Sequence, residues 1–256
     1  MKIIDTHCHL NDPALFNDLD NVILRARKAG VDKMIVVGWD EESSKLAIKI
    51  AEQYDFIYAV IGFHPENIFD INDETLYQTL ELYKHPKVVG IGEIGLDYHW
   101  TKEDNKRELQ KDYFIKQIEF ANKVGLPISI HSREAFSDTV KILKEHKPLY
   151  GGVMHCYSGS VENIEDIINL NLYIGLDGPV TFTNAKTPKE VAREVPLERL
   201  VVETDSPYLS PHPLRGTVNE PSNLSLVVDA IADIRDMSKK HLLDILYQNS
   251  CDLFKL

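Results

Sequence analysis

Short apolar runs alternate with segments of helical periodicity along the whole chain. Eight of the runs predict buried parallel strands, because Val, Ile, Leu and Gly follow one another in them without alternating polar residues. These runs begin near residues 2, 33, 56, 88, 127, 151, 172 and 199. Strands that alternate with helices in this way predict an α/β fold with a parallel sheet.

The segments between the strands carry apolar stripes at the spacing of amphipathic helices. One stripe stops at Gly30 and another at Gly125, where glycine is typical of a helix end. Ser238 has the residue type of an N-cap and precedes the last stripe. The stripes lie within residues 22–29, 114–124, 224–234 and 242–253. The last of them predicts an extra C-terminal helix.

The chain length agrees with a closed barrel. Eight strand and helix units in a TIM-type barrel take roughly 250 residues, and this chain has 256. No Gly, Ser or Pro-rich linker and no sequence repeat divides it. We therefore expect an eight-stranded parallel (β/α) barrel with an extra C-terminal helix, formed by residues 1–256 as a single domain.

The chain has the features of a cytoplasmic protein without a membrane segment. Its apolar runs are too short to span a bilayer, and its N-terminus enters a strand rather than a signal peptide. Cys8, Cys156 and Cys251 are odd in number and lack Cys-x-x-Cys spacing, so no disulfide framework is expected. Strand alternation predicts that Cys8 and Cys156 are buried thiols that face away from the neighbouring histidines. Nothing in the sequence implies an obligate protein partner.

The net charge restricts how a polyanion could be bound. Forty acidic and 28 basic residues give a formal charge of −12, and no long basic patch offsets it. The field of the whole protein therefore repels nucleic acid. A nucleic-acid substrate would have to be held locally, by metal ions and a few basic side chains.

Residues with metal-ligand chemistry stand where several apolar runs end. His7 and His9 lie two apart on the first strand and therefore project to the same face. A lone His-x-His pair is also common as a surface or structural feature. Four later runs end in a ligand type as well: Glu93, His131, His155 and Asp205. Because the catalytic residues of a parallel barrel come from the C-terminal ends of several strands, this pattern predicts a metal site there.

Six motifs in fixed order resemble the TatD family of metal-dependent deoxyribonucleases, within the amidohydrolase-like barrels. The resemblance extends from residue 3 to about residue 253. The motifs are Asp5–Leu10, Gly62–Pro65, Gly92–Tyr98, His131–Glu134, His155–Gly159 and Glu203–Leu209. It implies two divalent cations, one held by His7, His9 and Asp205, the other by His131 and His155, with Glu93 as the bridge.

The resemblance also implies the reaction. Two cations can activate a water molecule and neutralise the attacking and leaving oxygens of a phosphodiester. Asp205 would accept the proton of that water, or else serve only as a ligand. The expected substrate is DNA, cut as a 3′-5′ exonuclease at single-stranded ends to leave 5′-phosphates. Four imidazoles favour Zn²⁺ or Mn²⁺, whereas phosphodiester chemistry and the resemblance favour Mg²⁺.

Four further residues are candidates for binding the substrate or supporting the site. His64 could donate to a phosphate oxygen or hold the turn before a proline, and Arg133 could bind a phosphate or pair with Glu134. Glu203 could orient a ligand histidine or face the site directly. Arg215 could contact phosphate in the loop after strand eight. Asp97 and Tyr98 are expected at the rim.

The sequence departs from the family in the same loop, and other functions stay open. Thr217 and Val218 stand where the family usually has basic residues, which weakens the expected phosphate contribution of the loop. One alternative is a small-molecule hydrolase that opens a lactone, an amide or a phosphoester. Barrels of that kind often bridge their metals with a carboxylated lysine, but Lys87 lies at the opposite end of strand four from Glu93. A non-catalytic binding protein is the more distant alternative.

Overall fold

The computed structural model describes residues 2–256 and contains one eight-stranded parallel sheet in which each strand pairs with the next along the chain. This arrangement confirms the predicted barrel, and every strand begins within two residues of its expected start. The strands are β1 (Ile3–Cys8), β2 (Val31–Val37), β3 (Ile57–Ile61), β4 (Val88–Asp97), β5 (Ile128–Arg133), β6 (Gly152–Met154), β7 (Leu172–Leu176) and β8 (Leu200–Val202).

The helices follow the strands and cover them from outside. Gly125 ends α5 in the left-handed conformation, with φ of 80°. The Ser238 hydroxyl accepts a hydrogen bond from the His241 N–H and begins α10, the expected extra C-terminal helix. The helices are α1 (Pro13–Phe16), α2 (Leu19–Lys28), α3 (Glu41–Gln53), α4 (Asp73–Leu80), α5 (Asp104–Val124), α6 (Phe136–Glu145), α7 (Ile164–Asn169), α8 (Thr187–Glu194), α9 (Leu224–Ile234) and α10 (Lys239–Phe254).

The barrel closes between the segment after β8 and β1. The Asp205 N–H donates to the His7 carbonyl at 2.9 Å. Asp5 is completely buried and accepts hydrogen bonds from the Thr204 N–H at 3.0 Å and from its hydroxyl at 2.6 Å. A carboxylate in the interior is tolerated when several donors satisfy it. These bonds bring the first and the last predicted ligands of the chain side by side.

The end of α10 packs against the side chains inside the barrel. Leu253 and Phe254 join an apolar cluster whose other members come from β2, β3, β6 and β8: Ile35, Val37, Val60, Val153 and Val201. A Cβ added at Gly90, three residues before Glu93 on β4, would lie 3.5 Å from the Phe254 ring. The cluster forms an apolar floor, so the polar residues of the interior lie toward the C-terminal ends of the strands.

Among residues 2–256 we find no helix with both the length and the apolar character that crossing a bilayer would require.

Candidate metal centre

A cavity of about 680 Å³ lies at the C-terminal ends of the strands and collects the predicted ligands. Five of the six line it directly: His9, Glu93, His131, His155 and Asp205. The sixth, His7, is completely buried beneath them. The residues come from five different strands or strand ends, as the position of catalytic groups in this type of barrel predicts.

Glu93 is the central residue of the site, because its two oxygens face different histidines. Oε2 lies 3.5 Å from His7 Nε2 and 3.8 Å from His9 Nε2. Oε1 lies 2.8 Å from His131 Nδ1 and 3.7 Å from His155 Nε2. Burial alone raises the pKa of Glu93, but hydrogen bonds from His131 and His7 outweigh it and hold the pKa well below its usual value. The group is therefore an ionised carboxylate with one oxygen on each side.

Hydrogen bonds donated by Nδ1 orient two of the histidines. His9 Nδ1 lies 3.0 Å from the Val37 carbonyl, to which only an N–H can donate. His155 Nδ1 likewise donates to Glu203 Oε1 at 2.9 Å. In each ring Nδ1 therefore carries a proton, and Nε2, which faces the other predicted ligands, is the nitrogen that can bind a metal. This is the usual way in which proteins fix a metal-binding histidine.

The spacing of the donor atoms fits a metal ion. His7 Nε2 and His9 Nε2 lie 3.2 Å apart, and Asp205 Oδ1 lies 3.8 Å and 3.4 Å from them, respectively. Tetrahedral ligands at bond lengths near 2.05 Å are about 3.3 Å apart. His7, His9 and Asp205 therefore have the size and chemistry of a cation site. His7, Glu93 and His155 form a second group of donors, which shares His7 with the first.

His131 lies in a group of donors with His64 and Asp97. Its predicted pairing with His155 around one ion stays a prediction, since both histidines face the same oxygen of Glu93. Both ring nitrogens contact carboxylates, Nδ1 at 2.8 Å from Glu93 and Nε2 at 3.0 Å from Asp97. Burial lowers the pKa of His131, but these two bonds outweigh it and raise the pKa to about 9. In this arrangement His131 is an imidazolium, so it must give up a proton before it can share an ion with His155.

Sequence reasoning missed two acidic residues of the interior. Asp97 was expected only at the rim, yet it is buried and holds His131. Its even separation from Glu93 on β4 places both on the same face of the strand, a signal that the sequence does contain. Asp177 follows the end of β7, and its buried Oδ2 has no hydrogen-bond partner among the described residues. The sequence signal that identified the other candidates, an acidic residue or histidine at the end of an apolar run, applies to Asp177 as well.

His64 combines the two roles that its sequence left open. Its Nδ1 accepts a hydrogen bond from the Glu66 N–H at 3.1 Å and so caps the short turn after it. Burial, together with the nearby His131, lowers the pKa of His64 to about 3. The ring is therefore neutral with its proton on Nε2, which lies 3.9 Å from Glu93 Oε1. The same side chain holds the turn and presents a donor to the cavity.

Glu203 lies behind the site rather than in it. It is completely buried and does not line the cavity. Oε1 accepts hydrogen bonds from His155 Nδ1 at 2.9 Å and from the Cys156 N–H at 2.6 Å. This placement corrects its candidacy for substrate binding and fits the orienting role, because a buried side chain cannot reach a ligand in the cavity.

The other candidates occupy different positions. Arg133 is exposed and lines the cavity, whereas Arg215 does not line it and instead packs on Phe182, with Cζ 4.1 Å from the ring centroid.

Cys8 is buried as expected, but the expectation for Cys156 is wrong. Cys156 is half-buried and lines the cavity. It lies two residues beyond the end of β6 and has a left-handed φ of 42°, so strand alternation no longer applies to it.

Asp205 has an unusual backbone conformation for its residue type. Its φ is 54°, a left-handed value that is uncommon outside glycine and often found at functional sites. Hydrogen bonds from its N–H to the His7 carbonyl and from the Tyr208 N–H to its own carbonyl stabilise this conformation. Burial raises the pKa of Asp205, but His155 and His9 outweigh burial and lower it. Asp205 therefore presents an ionised oxygen to the cavity.

Comparisons with known proteins agree with this geometry. The sequence profile of the family described as "TatD related DNase" matches residues 4–255. The chain is 46% identical to a protein of Bacillus subtilis described as uncharacterized metal-dependent hydrolase YabD, over 99% of each chain. Among solved structures, the TatD homolog YjjV of Escherichia coli superposes with a TM-score of 0.92 at 32% identity, covering 99% of this chain and 98% of that one. A TatD family hydrolase of Entamoeba histolytica gives a TM-score of 0.87 at 26% identity, over 98% and 97%.

Proposed function

The chain belongs to the TatD-related DNase family of metal-dependent hydrolases, and on this premise we propose that it is a deoxyribonuclease that hydrolyses DNA phosphodiester bonds. It would act as a 3′-5′ exonuclease on single-stranded ends and leave 5′-phosphates. The observation that supports this proposal most is the position of Glu93. One carboxylate oxygen faces His7 and His9, and the other faces His131 and His155.

This arrangement supports two divalent cations with Glu93 between them. His7, His9 and Asp205 would hold the first, and His155 with the second oxygen of Glu93 would hold the other, joined by His131 once it is deprotonated. Bound there, the ions would lower the pKa of a coordinated water and neutralise the charged oxygens of a phosphodiester. We propose Mg²⁺ as the ion in function, with Mn²⁺ or Zn²⁺ also suited to the imidazoles.

Asp205 is the proposed general base. Its carboxylate is ionised, lines the cavity and lies beside the first group of ligands. A positioned carboxylate of this kind can accept the proton of an attacking water and typically contributes about 10²- to 10⁴-fold to the rate. The neutral His64 would donate its Nε2 proton to a phosphate oxygen.

The charge around the cavity favours a substrate that makes few phosphate contacts. Arg133 is the only lysine or arginine that lines the cavity within the described part of the chain, beside four carboxylates: Glu66, Glu93, Asp97 and Asp205. Val218 is 55% exposed in the loop after β8 and contributes no charge. A flexible single strand can enter a concave barrel mouth that a rigid duplex cannot. It also carries fewer phosphates than a duplex, so fewer basic side chains are needed to bind it.

The small-molecule alternative lacks a supporting observation in this chain. Lys87 donates its ammonium protons to the carbonyls of Tyr54, Asp55 and Ile57. It therefore lies at the end of β4 opposite the cavity and cannot bridge metals there. An organophosphorus hydrolase of Deinococcus radiodurans has a TM-score of 0.65 at 12% identity, which shows a shared fold alone.

A cleavage assay tests the proposed function. Protein stripped with a chelator and reloaded with Mg²⁺, Mn²⁺ or Zn²⁺ would be incubated with end-labelled single-stranded and duplex DNA. We expect stepwise shortening of single strands from the 3′ end, products with 5′-phosphates, and no activity in the Glu93→Gln variant. If a preparation hydrolyses a lactone, an amide or a phosphotriester efficiently but leaves DNA intact, the protein is a small-molecule hydrolase and the nuclease proposal is wrong.

Binding as a function of salt gives an independent check. With few phosphate contacts, the log–log slope of affinity against salt should be about −1 to −3 for single strands. Val218→Arg adds a cation to the loop after β8 and should tighten binding and steepen this slope. Tight binding with a steep slope in the unmodified protein would contradict the proposed mode of DNA binding.

A further inference from the structure

Aromatic side chains are concentrated at the cavity. The chain has only two tryptophans, Trp39 and Trp100, and both line the cavity together with Tyr208. Trp100 is 65% exposed and Tyr208 is 53% exposed. Large rings gain stability when they are buried, so rings this exposed contribute little to the core. Their shared position at one opening requires another explanation.

The three rings lie on two sides of the ligand cluster. Trp39 and Tyr208 are next to His9, with ring centroids at 5.3 Å and 6.1 Å from the imidazole. Trp100 belongs to the opposite side, where the Arg133 guanidinium carbon lies 5.7 Å from the indole centroid. Since His9 and His131 face different oxygens of Glu93, a phosphodiester over Glu93 would have aromatic rings on both sides.

The backbone at Trp100 is fixed to the metal centre although its ring is exposed. The main-chain N–H groups of His99 and Trp100 donate to Asp97 Oδ1 at 2.9 Å and 3.1 Å. The other oxygen of the same carboxylate lies 3.0 Å from His131 Nε2. One buried carboxylate therefore holds both a predicted metal ligand and the loop that carries the indole. This connection fixes the backbone that carries the indole relative to His131.

We propose that Trp100 is a stacking platform for a nucleobase next to the scissile phosphate, and that Trp39 and Tyr208 receive the base on the other side. This inference rests on the proposed nuclease function and specifies its substrate as single-stranded nucleic acid held by its bases. Stacking is independent of charge and tolerates any base, because every base has a π face. It adds affinity of which an acidic protein with a single arginine and no lysine among the described residues at its cavity gains little from phosphates.

A pair of oligonucleotides with equal charge tests the platform. One is a short oligothymidylate, the other has the same backbone with abasic residues throughout, and both carry phosphorothioate linkages to slow cleavage. Affinity for each oligonucleotide would be measured with Mg²⁺-loaded protein by the anisotropy of a fluorescent end label, and tryptophan emission would be recorded as well, since both tryptophans lie at the cavity. We expect the thymine oligonucleotide to quench this emission and to bind about 5- to 150-fold more tightly than the abasic one.

Variants identify the responsible ring. Trp100→Leu keeps an apolar side chain without a π face, so it should lower the affinity for thymine by that factor and leave abasic binding unchanged. Trp100→Phe should restore part of the difference. Tyr150→Leu is the matched control, because Tyr150 is 46% exposed and precedes β6 at the other end of the barrel. It should bind both oligonucleotides as the unmodified protein does.

Two results would overturn the platform: equal affinity of the unmodified protein for both oligonucleotides, or an equal loss for both in Trp100→Leu. These results are distinguishable from failure of the proposed function. If the unmodified protein and Trp100→Leu cleave the thymine and abasic strands at the same rate, the nuclease proposal holds and the stacking proposal fails. If base-dependent quenching persists while no DNA is cleaved, the platform stands and the nuclease fails.

Discussion

Glu203 allows the metal affinity of the site to be changed from a position that no substrate touches. Its Oε1 accepts hydrogen bonds from His155 and the Cys156 N–H, and Oε2 accepts one from the Thr6 hydroxyl at 3.2 Å. Glu203→Gln can keep all three contacts, because an amide supplies one acceptor and one donor, but it removes the charge that makes His155 a better ligand. Losses of this kind reduce metal affinity about 10- to 100-fold, which corresponds to roughly 1.4 to 2.7 kcal/mol.

Gly175→Ala tests the geometry of the same contact without changing its charge. A Cβ at Gly175 would lie 2.6 Å from Glu203 Oε1 and 2.8 Å from its carboxyl carbon. Because Glu203 is completely buried, the carboxylate has to move and weaken its bond to His155. We expect a loss of metal affinity at least as large as that of Glu203→Gln, together with some loss of folding stability from crowding in a packed interior.

The assay is competition between protein and a chromogenic chelator for Zn²⁺ or Mn²⁺, with circular dichroism of the metal-free forms as the test of folding. Glu198→Gln is the matched control, since Glu198 is exposed and lies just before β8 at the end opposite the cavity. It should bind metal as the unmodified protein does. Unchanged metal affinity in folded Glu203→Gln would refute the argument that this carboxylate tunes His155.

Four further outcomes are expected. Chelation should abolish hydrolysis while the far-ultraviolet circular dichroism stays the same, since apolar burial holds the barrel, and elemental analysis of reloaded protein should approach two ions per chain. Asp205→Asn should retain most of the metal but lower turnover about 10²- to 10⁴-fold; a near-normal rate at full occupancy would contradict the general-base role. In metal-free protein, the stability from the raised pKa of His131, about 9, is complete below pH 6.5 and is lost as the pH rises through 9. Urea titrations should show a loss of up to roughly 3 kcal/mol from His131, so the pH dependence should be smaller in His131→Gln, where the raised pKa values of His155 and His9 remain. Phe254→Ala should lower the free energy of unfolding by about 3 to 5 kcal/mol in urea titrations without changing the rate per folded molecule.

Local patterns were sufficient for the barrel and for the place where most of the predicted ligands gather. The apolar run before Glu93 and the run before His131 each predict a strand from neighbouring residues alone, and both strands are present. The C-terminal ends of parallel strands meet at one face, so the ligand types that follow them had to meet as well. His7 was recognisable because it lies two residues before His9 on the same strand, so that both face the same side.

Local sequence patterns did not predict which side chains contact each other within the cavity. His131 lies between the carboxylates of Glu93 and Asp97, and which nitrogen meets which oxygen depends on how strands β4 and β5 pair. Cys156 reaches the cavity because its backbone leaves the strand conformation. Neither the contacts of His131 nor the backbone conformation of Cys156 is encoded in a short stretch of sequence.

The sequence by itself determined the eight strands, the helices between them and the face at which the ligand types gather, because strand and helix periods are local properties of the chain. Only the tertiary structure decided that Glu203 stands behind His155 and that Trp100 shares the carboxylate of Asp97 with His131. These relationships join residues that are far apart in the chain. They depend on closure of the barrel between β8 and β1, which sets all of these distances together.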